Sequence, residues 1–320
     1  MSDEAKRVMT SYSRTAAYKT CPRKVFLSRY QRWGRDGETS VHLGFGRAWT
    51  VAAEYILAQV ANGEKHAPER DKLLQEAMDL FMAEWTASGL PLGDELVTKA
   101  DIYRGKTPAN AETTLREYIN RRWGWFRTLK WIGNEVPFEI PLGIAPDGTP
   151  LFYEVKIDSL VEENGQVLVI ERKTTSLSSK DGLRYDYVSQ FSPNSQVEGY
   201  AWAARNAYGP RFAEVMVDVA VINEKPSNQK IFGLFPVPTS KEVVDEWLRN
   251  QYTWSLRLYE SEKLLNQKAS LSFSFPRNEE SCVGKYGMCE YFNLCKFVPD
   301  PSTLTEPPVG YMVLPEKDGG

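Results

Sequence analysis

Cysteine and histidine are scarce in this chain: four of the first and two of the second among 320 residues. Long apolar runs are missing too. Val215 to Ile222 is among the most apolar windows, far short of the roughly 20 residues a membrane helix needs. The opening MSDEAKRVMTSYSR has no apolar signal core. A soluble cytoplasmic protein with no membrane partner is expected. Neither sign of charge dominates: the net charge is −3 and the pI about 5.7, unlike the basic balance common in nucleic-acid-binding domains. There is no internal repeat and no low-complexity linker. What is present, 42% hydrophobic and 12% aromatic residues, is ample for a core in one large domain or two smaller ones.

Charge is less even locally. Nine basic residues lie between Lys6 and Arg35, with the nearest acids only at the margins, Glu4 and Asp36. Such a run suits either a solvated helix face or contact with an anionic polymer.

Apolar spacing predicts helices over 12–32 with Ser13 as cap, 48–60, 71–88 and 109–129. After residue 130 the texture turns to short β-rich runs at 135–142, 151–160 and 166–171. The Asn164-Gly165 pair between the last two is a strong hairpin signal, so these should be antiparallel neighbours. A helix over 193–207 is expected, with Ser192 as cap, Pro193 at its first position and Gly209 past its end. Strands over 213–221 and 230–237 and a long helix over 241–265 complete the pattern.

The stretch VIERKTT, residues 169–175, places Glu171, Arg172 and Lys173 where a buried strand should be finishing. Strand alternation puts Glu171 and Lys173 on one side. It does the same for Glu154, Lys156 and Asp158 in the preceding strand. If the hairpin brings Asp158 to Glu171, two carboxylates meet and need a cation between them. Mg²⁺ or Mn²⁺ on Asp158, Glu171 and the backbone carbonyl of Arg172, with water and a phosphodiester oxygen completing the shell, would answer that need. An exposed salt-bridge ladder is the alternative reading. In the following helix Gln196 and Tyr200 stand at i, i+4 and share a face.

The order of Asp158, Glu171-x-Lys173 and Gln196-x-x-x-Tyr200 resembles the PD-(D/E)xK nuclease superfamily, in its RecB-like branch. That resemblance implies an α/β restriction-endonuclease-like core, a mixed central sheet flanked by helices. It also implies metal-dependent hydrolysis of DNA phosphodiester bonds, with exonuclease action on single-stranded DNA favoured. Asp158 and Glu171 would hold the metal, Lys173 would act on the water and transition state, and Gln196 and Tyr200 would position the site.

Four cysteines, Cys21 and then Cys282, Cys289 and Cys295 in CVGKYGMCEYFNLC, suggest by themselves a zinc or iron-sulfur site. With SYSRTAAYKTCPRKVFL at the start they resemble the two halves of the iron-sulfur clasp of AddB-type and CRISPR-associated RecB-like nucleases. Those relatives hold a [4Fe-4S] cluster on one N-terminal and three C-terminal cysteines, which carries over to Cys21, Cys282, Cys289 and Cys295. The six residues between Cys282 and Cys289 exceed the family's two, while the five before Cys295 fit. The family's GxxxH histidine is replaced by Thr50 after Gly46, with His42 and Glu54 as nearby substitutes.

One nuclease domain over 1–320 is expected: an N-terminal helix in 1–35, a helical region over 43–130, the catalytic core over 131–268, the clasp over 275–300 and an irregular tail over 301–320. The basic segment would guide DNA. A non-catalytic DNA-binding or scaffolding subunit of a recombination, repair or CRISPR-related complex is the alternative, and such complexes supply the candidate protein partners.

Overall fold

The computed structural model describes residues 7–35, 40–61, 69–93, 96, 103, 105–176, 178–179, 182–222, 231–284 and 287–314. The chain forms two compact units. One comprises Met1–Glu38, Glu139–Val155 and Asp245–Gly320, the other Thr39–Phe138 and Lys156–Val244. Among the described residues no helix is long and apolar enough to cross a membrane.

Strand β1 (Val8–Ser11) leads into helix α1 (Tyr12–Thr20). The single helix expected over 12–32 is broken at Cys21, which is extended at φ −162°, ψ 113°. Pro22 causes the break, because it disfavours the helical conformation in the residue before it and has no N–H to continue the ladder. Helix α2 (Pro22–Val25) restarts with that proline and passes into a π-helical turn, Phe26–Tyr30. Ser11, not Ser13, occupies the N-cap of α1. Strand β2 (Trp33–Arg35) follows.

Part of the basic run is engaged within this unit. Arg23 is buried, and its Nε donates to the Phe275 carbonyl at 2.9 Å. Lys24 pairs with Glu290 at 2.9 Å, Arg7 with Glu139 at 2.8 Å, and Arg14 with Glu262. Glu4, Lys6, Asp36 and His66 lie outside the described residues.

In the second unit, α3 (Val41–Ala61), α4 (Arg70–Ala87) and α5 (Pro108–Phe126) cover one face of the sheet. Pro108 takes the first position of α5, and the Thr107 side chain accepts from the Asn110 N–H at the cap. Aromatic rings fill this layer: Phe81 stacks on Trp85, and Phe45 meets both edge-on. Leu168 and Ile170 from the sheet join the same core.

Strands β3 (Lys130–Ile144) and β4 (Pro150–Glu163) run from one unit into the other. β5 (Gln166–Thr175) pairs antiparallel with β4 and parallel with β8 (Phe212–Val221), which pairs antiparallel with β9 (Phe232–Val237). β1 joins parallel to the start of β4, Val8 opposite Leu151. The result is a mixed sheet flanked by helices. β5 does not finish at Glu171, as expected; it continues to Thr175, with Glu171 and Arg172 buried inside it.

After the short strands β6 (Ser178–Ser179) and β7 (Gly182–Leu183) come helices α6 (Tyr185–Ser189) and α7 (Ser195–Tyr208). α7 begins two residues later than expected. Its cap is Asn194, whose side chain accepts from the N–H groups of Gln196 and Val197, so neither Ser192 nor Pro193 starts it. Gly209, at φ 56°, closes it where an L side chain would be strained.

The first unit resumes at Asp245, within α8 (Lys241–Asn266), and continues with α9 (Leu271–Ser274), β10 (Val283–Gly284), β11 (Gly287–Met288) and α10 (Phe292–Phe297). Tyr18, Phe26, Trp33, Leu258, Phe275 and Leu294 share its core. The 301–320 segment is not wholly irregular: β12 (Tyr311–Val313) pairs antiparallel with β2, and the Tyr311 ring stacks on Tyr291.

Candidate active site

The turn between β4 and β5 sets the geometry of the site. Asn164 and Gly165 both adopt positive φ, 51° and 84°, the backbone a tight hairpin requires. The register then runs from Glu163 opposite Gln166 to Ser159 opposite Ile170. One step further along it stand Asp158 and Glu171.

Both carboxyl groups line one cleft. Burial pushes the Asp158 carboxyl well above the usual range, and the charge and hydrogen bond of Glu171 push the same way. Lys173 and the Arg172 N–H, which donates to Asp158 Oδ2 at 3.3 Å, act against that shift. Lys173 Nζ pairs with Glu171 Oε1.

Helix α7 closes this side of the sheet. Lys173 Nζ donates to Gln196 Oε1 at 3.2 Å, Gln196 Nε2 donates to the Tyr200 hydroxyl at 2.7 Å, and that hydroxyl donates to Asp158 Oδ1 at 3.5 Å. The helical i, i+4 spacing is what lets two side chains of α7 bridge two strands. Burial opposes the charge on Lys173, but Glu171 and Asp158 raise its pKa on balance, so it stays an ammonium. Burial, with Glu171 and Asp158 beside it, holds the Tyr200 hydroxyl well above the usual tyrosine range.

A cleft of about 580 Å³ opens over these groups, and Thr50, Glu54, Glu135, Asp158, Glu171 and Lys173 are among its lining residues. Thr50 is in the wall where the histidine was sought. His42 lines the cleft too, and its Nδ1 accepts from Lys106 Nζ at 2.8 Å. Glu54 is buried; burial pushes its carboxyl up to about 7, against the pull of Arg172.

Asp158, Glu171, Lys173, Gln196 and Tyr200 thus come together. Two groups beside them escaped the reading of the sequence. Tyr187 on α6 senses the charges of Lys173 and Glu171, and burial pushes its hydroxyl up to about 12. No local pattern marks it. The Arg172 side chain, considered only for its carbonyl, forms a buried network on the other face of β5. Strand alternation would have revealed it.

Among the described residues, no group of three or more His, Cys, Asp or Glu side chains could hold a metal ion as it stands. A pair of carboxylates with a backbone carbonyl is a smaller set, and the residues here fit a hard divalent cation. Two buried acids that line one cleft and raise the cost of each other's charge are relieved by positive charge between them.

In the first unit, Cys21, Cys282, Cys289 and Cys295 are free thiols lining one small pocket with Arg23, Lys24 and Arg277. The Cys289 N–H donates to the Cys282 carbonyl at 2.8 Å. Burial pushes the Cys295 thiol up to about 11, partly offset by Arg23, and Cys21 and Cys289 add to the rise.

A family model described as the PD-(D/E)XK nuclease superfamily matches residues 9–296. No curated protein matches. Among solved structures, the chain is similar to a crystal structure from Eubacterium rectale provisionally named an exonuclease, at 16% identity and a TM-score of 0.44, over 80% of this chain and 83% of that one. It is also similar to the crystal structure of SSO0001, at 16% identity and a TM-score of 0.24, over 63% of this chain and 85% of that one. The family match runs from β1 into α10 and takes in both acids, the lysine and the bridging helix: the chain belongs to the PD-(D/E)XK nuclease superfamily.

Proposed function

We propose that the chain is a RecB-like, AddB-type deoxyribonuclease that hydrolyses phosphodiester bonds with Mg²⁺ or Mn²⁺, acts as an exonuclease on single-stranded DNA, and carries a structural [4Fe-4S] cluster. The observation that carries the reading is that the Asp158 and Glu171 carboxyl groups line one cleft with the Lys173 ammonium, which pairs with Glu171.

Asp158, Glu171 and the Arg172 carbonyl would hold the catalytic ion. Bound there, the ion supplies Lewis acidity toward the phosphate and makes its water a better nucleophile. Lys173, kept protonated by its acidic neighbours, orients the attacking water and offsets negative charge growing on the phosphate oxygens. Gln196 fixes the ammonium, and Tyr200 fixes Asp158.

The thiols Cys21, Cys282, Cys289 and Cys295 would bind the cluster. Sulfur donors with three cations around them suit an anionic iron-sulfur group. A cluster presents several iron atoms, so its ligands need not converge on one point as they must for zinc. The clasp would tie α2 to α10.

Labelled single-stranded DNA incubated with Mn²⁺ and either wild type or Lys173→Ala tests the chemistry: DNA is lost only with wild type. Equal loss with both, or none with either, sinks it. The replacement of the family histidine by Thr50 favours the second reading, a non-catalytic DNA-binding subunit of a recombination, repair or CRISPR-related complex. Binding without cleavage would support that one.

A further inference from the structure

We infer that Arg172, through its buried side chain, is the positioning residue that holds the Asp158 end of the carboxylate pair in its metal-binding geometry. The inference rests on the reading of the cleft as a metal site and adds a residue to it.

Alternation along β5 sends Glu171 and Lys173 toward α7 and Arg172 to the opposite face, where α3 and α5 pack. There the guanidinium is enclosed at 3% exposure. Its Nη1 donates to Ser159 Oγ at 2.6 Å, and Ser159 Oγ donates to Asn134 Oδ1 at 2.7 Å. Ser159 is the residue next to Asp158 in β4. The backbone N–H of Arg172 meanwhile donates to the Asp158 carboxylate itself. One residue therefore grips Asp158 twice, at its carboxylate from the main chain and at its neighbour from the side chain.

The guanidinium is in turn held by its own surroundings. Glu54 Oε1 lies 3.9 Å from Nη1. Asp218, opposite Arg172 in the β5–β8 register, accepts from the Tyr118 hydroxyl at 2.7 Å and from Arg122 Nη2 at 2.8 Å. Two guanidinium groups and two carboxyl groups are thus gathered behind the metal face. Stability alone is a poor reason for such a set, because well-packed apolar residues of similar volume often serve as well or better. Tyr118, Glu54 and Asp218 surround the guanidinium and support its charge. Its 2.6 Å hydrogen bond to Ser159 goes to the strand that carries Asp158.

Mn²⁺ binding, read directly from the electron paramagnetic resonance of the free ion, tests this together with thermal unfolding in the absence of metal. Ser159→Ala removes the hydrogen bond and leaves the charges in place. It should weaken Mn²⁺ binding by about tenfold, the lower end for groups that orient metal ligands, at temperatures well below a Tm lowered by the unpaired buried donor. Arg172→Lys should fall between it and wild type, and Arg172→Met should lie beyond it if that variant folds. Wild-type and Ser159→Ala proteins that bind Mn²⁺ equally well overturn the inference while leaving the metal site standing. A wild type that binds no Mn²⁺ overturns both.

Discussion

The Tyr200 hydroxyl reaches Asp158 Oδ1 at 3.5 Å while accepting from Gln196 one helical turn earlier, so a single helix face links the lysine of β5 to the aspartate of β4. This bridge is absent from the strand pairing and depends on how α7 lies across the sheet.

Its removal should therefore slow the reaction more than it loosens the fold. Gln196→Ala frees the Lys173 ammonium, and Tyr200→Phe removes the hydroxyl from Asp158. Each is expected to lower kcat by about ten- to a hundredfold, somewhat less than the loss of a donor that touches the developing charge directly. Steady-state kinetics beside Tm separates the two effects, and a Tm drop that accounts for all lost activity would contradict the bridging role.

The paired acids predict opposite effects on stability and activity. Glu171→Gln in metal-free protein removes one of two neighbouring buried carboxylates and should raise Tm. Cleavage should vanish with it. Mn²⁺ at a hundredfold over its Kd stabilises a protein that binds it only when folded by about 2.7 kcal/mol. Calorimetry should find that increment in wild type and not in Glu171→Gln.

Glu54 gives a pH test. Its carboxyl is pushed up from the ordinary value of 4.5 to about 7 by burial. A folded-state pKa above the unfolded one means that the native protein holds the proton more tightly, so stability associated with Glu54 is fully present below pH 4.5 and lost as pH rises through 7. Relative to Glu54→Gln, wild type should lose about 2 kcal/mol between pH 5 and pH 8. Denaturant unfolding at the two pH values reads the difference, and parallel pH profiles would count against it.

For the clasp, anaerobically purified protein should be brown with broad visible absorption, and Cys295→Ser should remove both the colour and several degrees of Tm. Cys282→Ser is the sharper probe, because Cys282 breaks the family spacing. Loss of colour in that variant makes it a ligand. A colourless, zinc-loaded wild type would replace the cluster with a single ion.

Much of the fold was readable locally. Asn164-Gly165 announced the hairpin, Glu171 and Lys173 were bound to share a face by alternation, and Gln196 with Tyr200 by helical spacing. These features depend on residues close in sequence and on fixed periods of 2 and 3.6. The differences are local in origin too: Pro22 ends a helix that apolar spacing alone would continue, and β5 runs on through its charged residues to Thr175.

By itself the sequence determined which side chains were available and which neighbours each would share a face with, because backbone geometry imposes those periods wherever the chain goes. Only the tertiary structure decided that Asp158 and Glu171 line one cleft with Lys173, that Arg172 lies buried behind them beside Ser159, and that four cysteines from both ends line one pocket. Those meetings depend on strand register and helix packing, which are set by burial summed over distant segments and leave no mark in any short stretch of residues.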